Sequence, residues 1–439
     1  MHLLKLLFFI LACFSHTVCS RCLSHTVDSG YNTSVIPIIK DENTSLHKVP
    51  FELEVLDPNQ GSYDYLIIDL DTPYAWKDIP LTNSPIPCDE DDGCRDPVPC
   101  DTDLCKEAKS YINPICPTPN KTDCSMCIVT PLNPVSNACV ASNLTTDLLR
   151  PYWTDGRNPI NCYPRHPFGG RFKLSTAPKS LDQSFPKHVR GVAGFSWSGL
   201  CIPRQLNSTG VTTAAKFALC LPSSSSARGV TFVGEGPFYF KTNPNVDLRS
   251  YLSYTPMIRK SPKSLGYYIK INRILIKGTP VNSVPKGGSV KMSTIVTYTT
   301  LRSDIYKALV ESFSNATAGI PQVPAVEPFG LCFEDGAFGS GSVPRIDLEM
   351  ESENIWSVSV ENSIKWVGNG AACLAFVDGG SKVTDPIVIG TFQMENNFLY
   401  FDLENQQLGF SSSLLSRGTN CSNFNFNLVE SYTYQLSSE

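Results

Sequence analysis

The sequence predicts a mostly β protein built as two lobes, and three observations carry that expectation. Apolar segments are short and separated by turn residues: Val35–Ile39, Phe51–Leu56 and Tyr65–Ile68 are divided by Asp57-Pro58 and Asn59-Gln60-Gly61 among others. One stretch, Thr297–Phe313, carries sustained helical periodicity. A chain of 439 residues, 41% hydrophobic against 18% charged, can also bury more than one small core. A net charge of -5 gives no electrostatic footprint for nucleic acid or an anionic membrane.

The N-terminus reads as a secretory signal over residues 1–24. His2 and Lys5 form a weakly basic start, Leu6–Phe14 is apolar, and cleavage is expected after Ser20 or Ser24. No other run approaches the roughly 20 apolar residues a membrane span needs. The expected product is a secreted protein with no membrane or nucleic-acid partner. Of 17 cysteines, cleavage after Ser20 removes Cys13 and Cys19 and leaves 15; cleavage after Ser24 also removes Cys22 and leaves an even 14. N-glycosylation sequons begin at Asn32, Asn43, Asn120, Asn143, Asn207 and Asn315, with a weaker one at Asn420, whose own sequon holds Cys421.

In chain order, an N-terminal lobe is expected over 25–245 and a C-terminal lobe over 246–439. The first carries an insertion over 88–139 with eight cysteines from Cys88 to Cys139 and many prolines, too poor in apolar residues to core itself and read as disulfide-stapled. Cys124-Ser125-Met126-Cys127 has zinc-like spacing, but no second CxxC or His pair lies at ligand distance, so disulfides are expected and no metal. The Asp89–Asp92 cluster lacks the alternating ligands of a calcium loop and reads as a solvated turn. Val189–Phe195, Phe217–Leu221 and Val230–Val233 are strands, and turn-rich Phe238–Tyr251 marks the lobe boundary. In the second lobe Tyr267–Ile276 alternates as a strand. Ser303 caps the helix with Asp304 at its first position, and Ile305, Leu309 and Phe313 share its apolar face. Ile387–Gly390 and Phe398–Asp402 close the chain as strands.

The chemistry-bearing stretch is Tyr65–Trp76, YLIIDLDTPYAW, in which an apolar strand runs into Asp69. Val192-Ala193-Gly194 and Ile387-Val388-Ile389-Gly390 are strands ending in hydrophobic-hydrophobic-Gly, and FLYFDLENQQLGF follows the second. In this order the motifs resemble the pepsin-like aspartic proteases over essentially the whole mature chain. The resemblance implies a bilobed fold of two β-barrel-like lobes, a few short helices and a central cleft. Closer likeness is to the catalytically inactive plant extracellular group that includes extracellular dermal glycoproteins, basic 7S globulins and xylanase inhibitors. It is carried by VIPIIKD at 35–41, KFALCLPSS at 216–224, MSTIVTYTTL at 292–301, CLAFVDGGS at 373–381 and LLSRGTNCSNFNFN at 414–427.

What the resemblance implies for catalysis is negative. Active relatives carry Asp-Thr/Ser-Gly twice: a carboxylate that activates water, a bracing hydroxyl and a close-approach glycine. Here Asp69 is followed by Leu70 and Asp71, and the second motif reads Ser293-Thr294-Ile295. A serine hydroxyl cannot share a proton with Asp69 as a second carboxyl would. Asp378-Gly379-Gly380 falls too late to replace it and reads as a turn. The flap hairpin falls between Cys127 and Leu149, with Pro131–Pro134 at its tip, and no tyrosine lies between Tyr111 and Tyr152. Asp69 and Ser293 are therefore vestigial positions, and no cofactor is expected.

The implied function is inhibition of a secreted cell-wall-degrading glycoside hydrolase by protein contact. The xylanase inhibitors' His-bearing stretch reads Ser413-Leu414-Leu415 here, which points to xyloglucan-specific endoglucanases ahead of xylanases. Leu414, Leu415 and Arg417 are the candidate contacts. The competing readings are an active aspartic endopeptidase and a storage or peptide-binding wall protein. No GxSxG, HExxH or P-loop motif supports another chemistry.

Overall fold

A computed structural model describes residues 33–50, 65–78, 96–113, 115–117, 125–148, 151–160, 171–338 and 343–426. The signal segment, Asn32, Asn120, Asp89–Asp92, Cys88, Cys124 and Cys162 lie outside the described residues.

Short apolar runs become strands and the chain is mostly β. Strand Thr33–Lys40 lies between Arg228–Gly234 and His47–Pro50, and the next strand across, Tyr65–Asp69, ends on the acid. These belong to a 15-stranded sheet that also recruits Ser253–Pro256, Phe398–Asp402 and Gln407–Phe410 from the C-terminal part of the chain. The join is made where Lys216–Cys220 pairs antiparallel with Phe398–Asp402. An 8-stranded sheet organises the C-terminal part around Gly288–Met292 and Ile387–Ile389, and a 4-stranded sheet packs beside it. Among the described residues none of these sheets closes on itself. Aromatic stacking ties the core across the join: Phe217 and Phe401 lie 4.5 Å apart at 3°, with Tyr267 on both.

The long helix spans Ser303–Ala316 and buries Ile305, Leu309 and Phe313 as its period requires. Its start differs from the sequence expectation. Ser303 is the first helical residue rather than the cap, and its hydroxyl donates to Asp378 at 2.6 Å, while Arg302 pairs with Asp304. Asp378 also accepts from the Gly380 amide, so Asp378-Gly379-Gly380 is a turn. Thr299–Leu301, which precedes the helix within the Thr297–Phe313 stretch, is a strand.

Four further α-helices fall among the described residues, two of them longer than a single turn. Asp103–Ser110 sits inside the cysteine-rich insertion, capped by Thr102, whose side chain accepts from the Cys105 amide, and Ile202–Ser208 follows the first glycine strand. Disulfides join Cys105 to Cys127, Cys116 to Cys139, Cys220 to Cys421 and Cys332 to Cys373. The zinc-like spacing at Cys127 is thus spent on a bridge to the Asp103–Ser110 helix. Cys201 is the free cysteine among the described residues; burial pushes its thiol up to about 12 and leaves it inert.

Candidate functional site

Two loops meet where the halves of the molecule join, and they are built alike. Tyr65–Asp69 runs parallel to Val189–Gly194 with Asp69 opposite Gly194. Gly288–Met292 runs parallel to Ile387–Ile389 with Met292 opposite Ile389, so one step further Ser293 stands level with Gly390. Both glycines are needed for closeness. A Cβ on Gly194 would lie 2.5 Å from the Thr72 carbonyl oxygen, and one on Gly390 would lie 2.6 Å from that of Thr297. The loop after each strand is therefore clamped against the end of the other strand.

Between the loops the bracing is one-sided. Thr294 Oγ1 donates across the join to the Ile68 carbonyl at 2.7 Å, fully buried. The matching position in the first loop is Leu70, 1% exposed and packed in the core, with no hydroxyl to return the bond.

Asp69 is 3% exposed. It accepts from Thr72 Oγ1 at 2.6 Å and from the Asp71 amide at 3.1 Å. Burial, helped by the neighbouring charge of Asp71, pushes its carboxyl up to about 6 despite these donors. Ser293 is half-buried, and its Oγ accepts from the Ile295 and Val296 amides, both at 3.2 Å, closing its own turn.

Asp71 avoids the cost of a second buried carboxylate. Its side chain is 40% exposed and forms an ion pair with Lys291, which stands two residues before Ser293. Burial works against the Lys291 charge, but the Asp71 carboxylate outweighs it and holds the ammonium above its ordinary range. The pair crosses from one half to the other at the loop position where a glycine would leave space. Thr294 could have been found from its place in the motif; Lys291 carries no sequence signal.

The hairpin beside this site pairs Ile128–Val129 with Ser142–Leu148 and turns over Pro134–Asn137, slightly later than the sequence placed its tip. It is pinned down at its turn. Asn133, wholly buried, donates to the Leu181 and Gln183 carbonyls at 2.8 and 2.9 Å and accepts from the Val135 and Ser136 amides. Trp76 Nε1 donates to the Leu132 carbonyl at 2.9 Å.

The other candidate contacts lie on the single turn Leu414–Arg417, ended by Gly418 at φ 70°. Leu414 is fully buried, while Leu415 is 39% exposed. Arg417 is exposed, its guanidinium over the Tyr251 ring at 5.1 Å. Among the sequons, Asn43 and Asn315 are exposed; Asn143 and Asn207 are half-buried, and the Asn207 amide donates to the Thr212 carbonyl.

Comparison with known proteins agrees with this geometry. The family description "Xylanase inhibitor N-terminal" matches residues 57–235, and "Xylanase inhibitor C-terminal" matches 266–412. Gamma conglutin 1 of Prunus dulcis is 38% identical over 341 residues, 74% of this chain and 77% of that protein. Chitinase CLP of Oryza sativa subsp. japonica is 33% identical over 416 residues, 90% and 92% of the two chains. The crystal structure of edgp superposes with a TM-score of 0.76 at 31% identity, over 90% of this chain and 98% of that one.

Proposed function

We propose that this chain, which belongs to the xylanase-inhibitor-like family of aspartic-protease-like proteins, is a secreted, proteolytically inactive glycoprotein that inhibits a cell-wall glycoside hydrolase. The observation that carries inactivity is the inequality of the two loops. Asp69 has a buried carboxyl, whereas the level position holds the Ser293 hydroxyl, already accepting two amides. A proton-sharing pair needs two carboxyls in one field, and a hydroxyl does not titrate in that range. The Asp71–Lys291 pair and the pinned hairpin supply no replacement acid and no mobile cover.

Inhibition then falls to the outer surface. Leu415 and Arg417 project from the Leu414–Arg417 turn, with Leu414 seated beneath as its anchor. Arg417 suits a hydrolase cleft because its planar fork meets a carboxylate through two parallel hydrogen bonds. A leader-like segment over 1–24 and exposed sequons at Asn43 and Asn315 fit export. The test is a titration of xyloglucan-specific endoglucanases and xylanases with the purified protein. Saturable inhibition of one of them is expected; no inhibition across both classes, with no complex on gel filtration, would leave a storage or peptide-binding role instead. The second reading, an active endopeptidase, rests on the retained Asp69 alone.

A further inference from the structure

Outer strands of the two larger sheets among the described residues, one from each, Ser253–Pro256 and Ile355–Val358, come together beside the Leu414–Arg417 turn. Asn354 Nδ2 and Ser352 Oγ tie them by donating to the Tyr254 carbonyl at 2.8 and 3.3 Å. Between them opens a chiefly polar recess of about 150 Å³, lined by Tyr251, Ser253, Ile355, Ser412, Ser416 and Arg417 among others.

Arg417 is unusual here. Its guanidinium neither donates a hydrogen bond nor pairs with a carboxylate within the described protein, unlike those of Arg157, Arg190, Arg204, Arg249, Arg259, Arg273, Arg302 and Arg345. Stacking on Tyr251 holds it in place without using any of its five N–H donors. The hydroxyls of Ser253 and Ser412 likewise make no hydrogen bond within the described protein, whereas Ser416 Oγ donates to the Ser413 carbonyl at 2.8 Å.

We propose that this recess binds a carboxylated sugar, that is, a uronic acid. A guanidinium with all its donors unspent takes a carboxylate bidentately. Neighbouring serine hydroxyls, each both donor and acceptor, suit the vicinal hydroxyls of a sugar ring. The recess, about 150 Å³ and partly open to solvent, can seat part of one sugar ring and not a folded peptide segment. The inference shares Arg417 with the hydrolase reading but does not depend on it, because it needs no second protein.

The experiment is calorimetric titration of the full chain, without any hydrolase, using galacturonic acid, galactose and acetate in separate runs. Galacturonate should bind saturably, with galactose and acetate each weaker by about tenfold or more. Arg417→Gln should weaken galacturonate by about tenfold or more while leaving the melting temperature unchanged, and Ser412→Ala should weaken it less. The proposal is overturned if acetate binds as well as galacturonate, which would mark an ordinary exposed arginine. It is equally overturned if galactose binds as well, if Arg417→Gln binds unchanged, or if no saturable heat appears.

Discussion

At the scale of single residues, the two loops differ by a hydroxyl on one side and a leucine on the other. Of the two matching loop positions only Thr294 carries a bracing hydroxyl, so Thr294→Val should leave the buried Ile68 carbonyl without that donor and cost about 1–3 kcal/mol in urea unfolding. Unchanged stability would mean that the bond is spare. Asp69 was legible because a buried strand running into an acid is a strong pattern, and Leu70 announced the missing brace. Lys291 was not legible, since a lysine on a half-exposed strand looks like any surface charge until the fold brings Asp71 to it. If inhibition resides on the Leu414–Arg417 turn, Arg417→Ala should raise the inhibition constant against the partner hydrolase by tenfold or more, roughly 1.4 kcal/mol or above, with no change in melting temperature. Asp69→Asn should leave it unchanged; the reverse pattern would place the partner in the cleft.

At the scale of elements, the hairpin is fixed through its neighbours. The segment Lys179–Asp182 that receives Asn133 is itself set against strand Ala75–Asp78, where Asp182 meets the buried Asp78. Burial first, then the hydrogen bond and charge of Asp78, push the Asp182 carboxyl up to about 7, against the pull of Arg190 and Lys179. Arg190 Nε donates to Asp78 Oδ1 at 2.5 Å. The shared proton is present in acid and lost as pH rises through about 7. Backbone hydrogen exchange over 133–140, corrected for its intrinsic pH dependence, should accelerate across that range, and Asp182→Asn should abolish the change. An identical profile in both proteins would show that the pair does not hold the hairpin. Element type was legible wherever periodicity was long, as in Ser303–Ala316. Its cap was not, because Ser303 found Asp378, which is distant in sequence. Asp103–Ser110 was not legible because it buries only Cys105 and Ala108, too short an apolar stripe to show a helical period.

At the scale of the molecule, the first sheet draws strands from both ends of the chain, and Cys220–Cys421 locks that join. Behind it, Glu395 is 2% exposed and 2.6 Å from Lys40, beside His47, whose Nε2 donates to the Pro222 carbonyl at 3.2 Å. Burial outweighs the lysine and pushes Glu395 up to about 7, and it lowers His47 to about 3, leaving the imidazole neutral. Asp69, Asp182 and Glu395 therefore keep protons in the folded state that the unfolded chain releases near pH 4. Their contribution is full below that pH and lost as pH rises through about 6 to 7. Asp41 and Asp402, held below the ordinary range by local donors and lysines that outweigh their burial, act oppositely and lose stability in stronger acid, and buried His47 loses it as pH falls below the ordinary imidazole range, one group against the three raised carboxyls. The melting temperature should thus peak on the acid side of neutral and fall toward pH 7.5, and Glu395→Gln should flatten the fall. A steady rise to neutrality would refute this.

The measurement that tests the central claim most directly is cleavage of a denatured protein substrate by the purified mature chain between about pH 3 and 5, with and without pepstatin. Loss of an essential catalytic group typically costs on the order of 10⁴-fold or more, so no pepstatin-sensitive cleavage above background is expected. Pepstatin-inhibited turnover by the pure protein would contradict the account, because it would require Asp69 to work with a second acid that Ser293 does not provide.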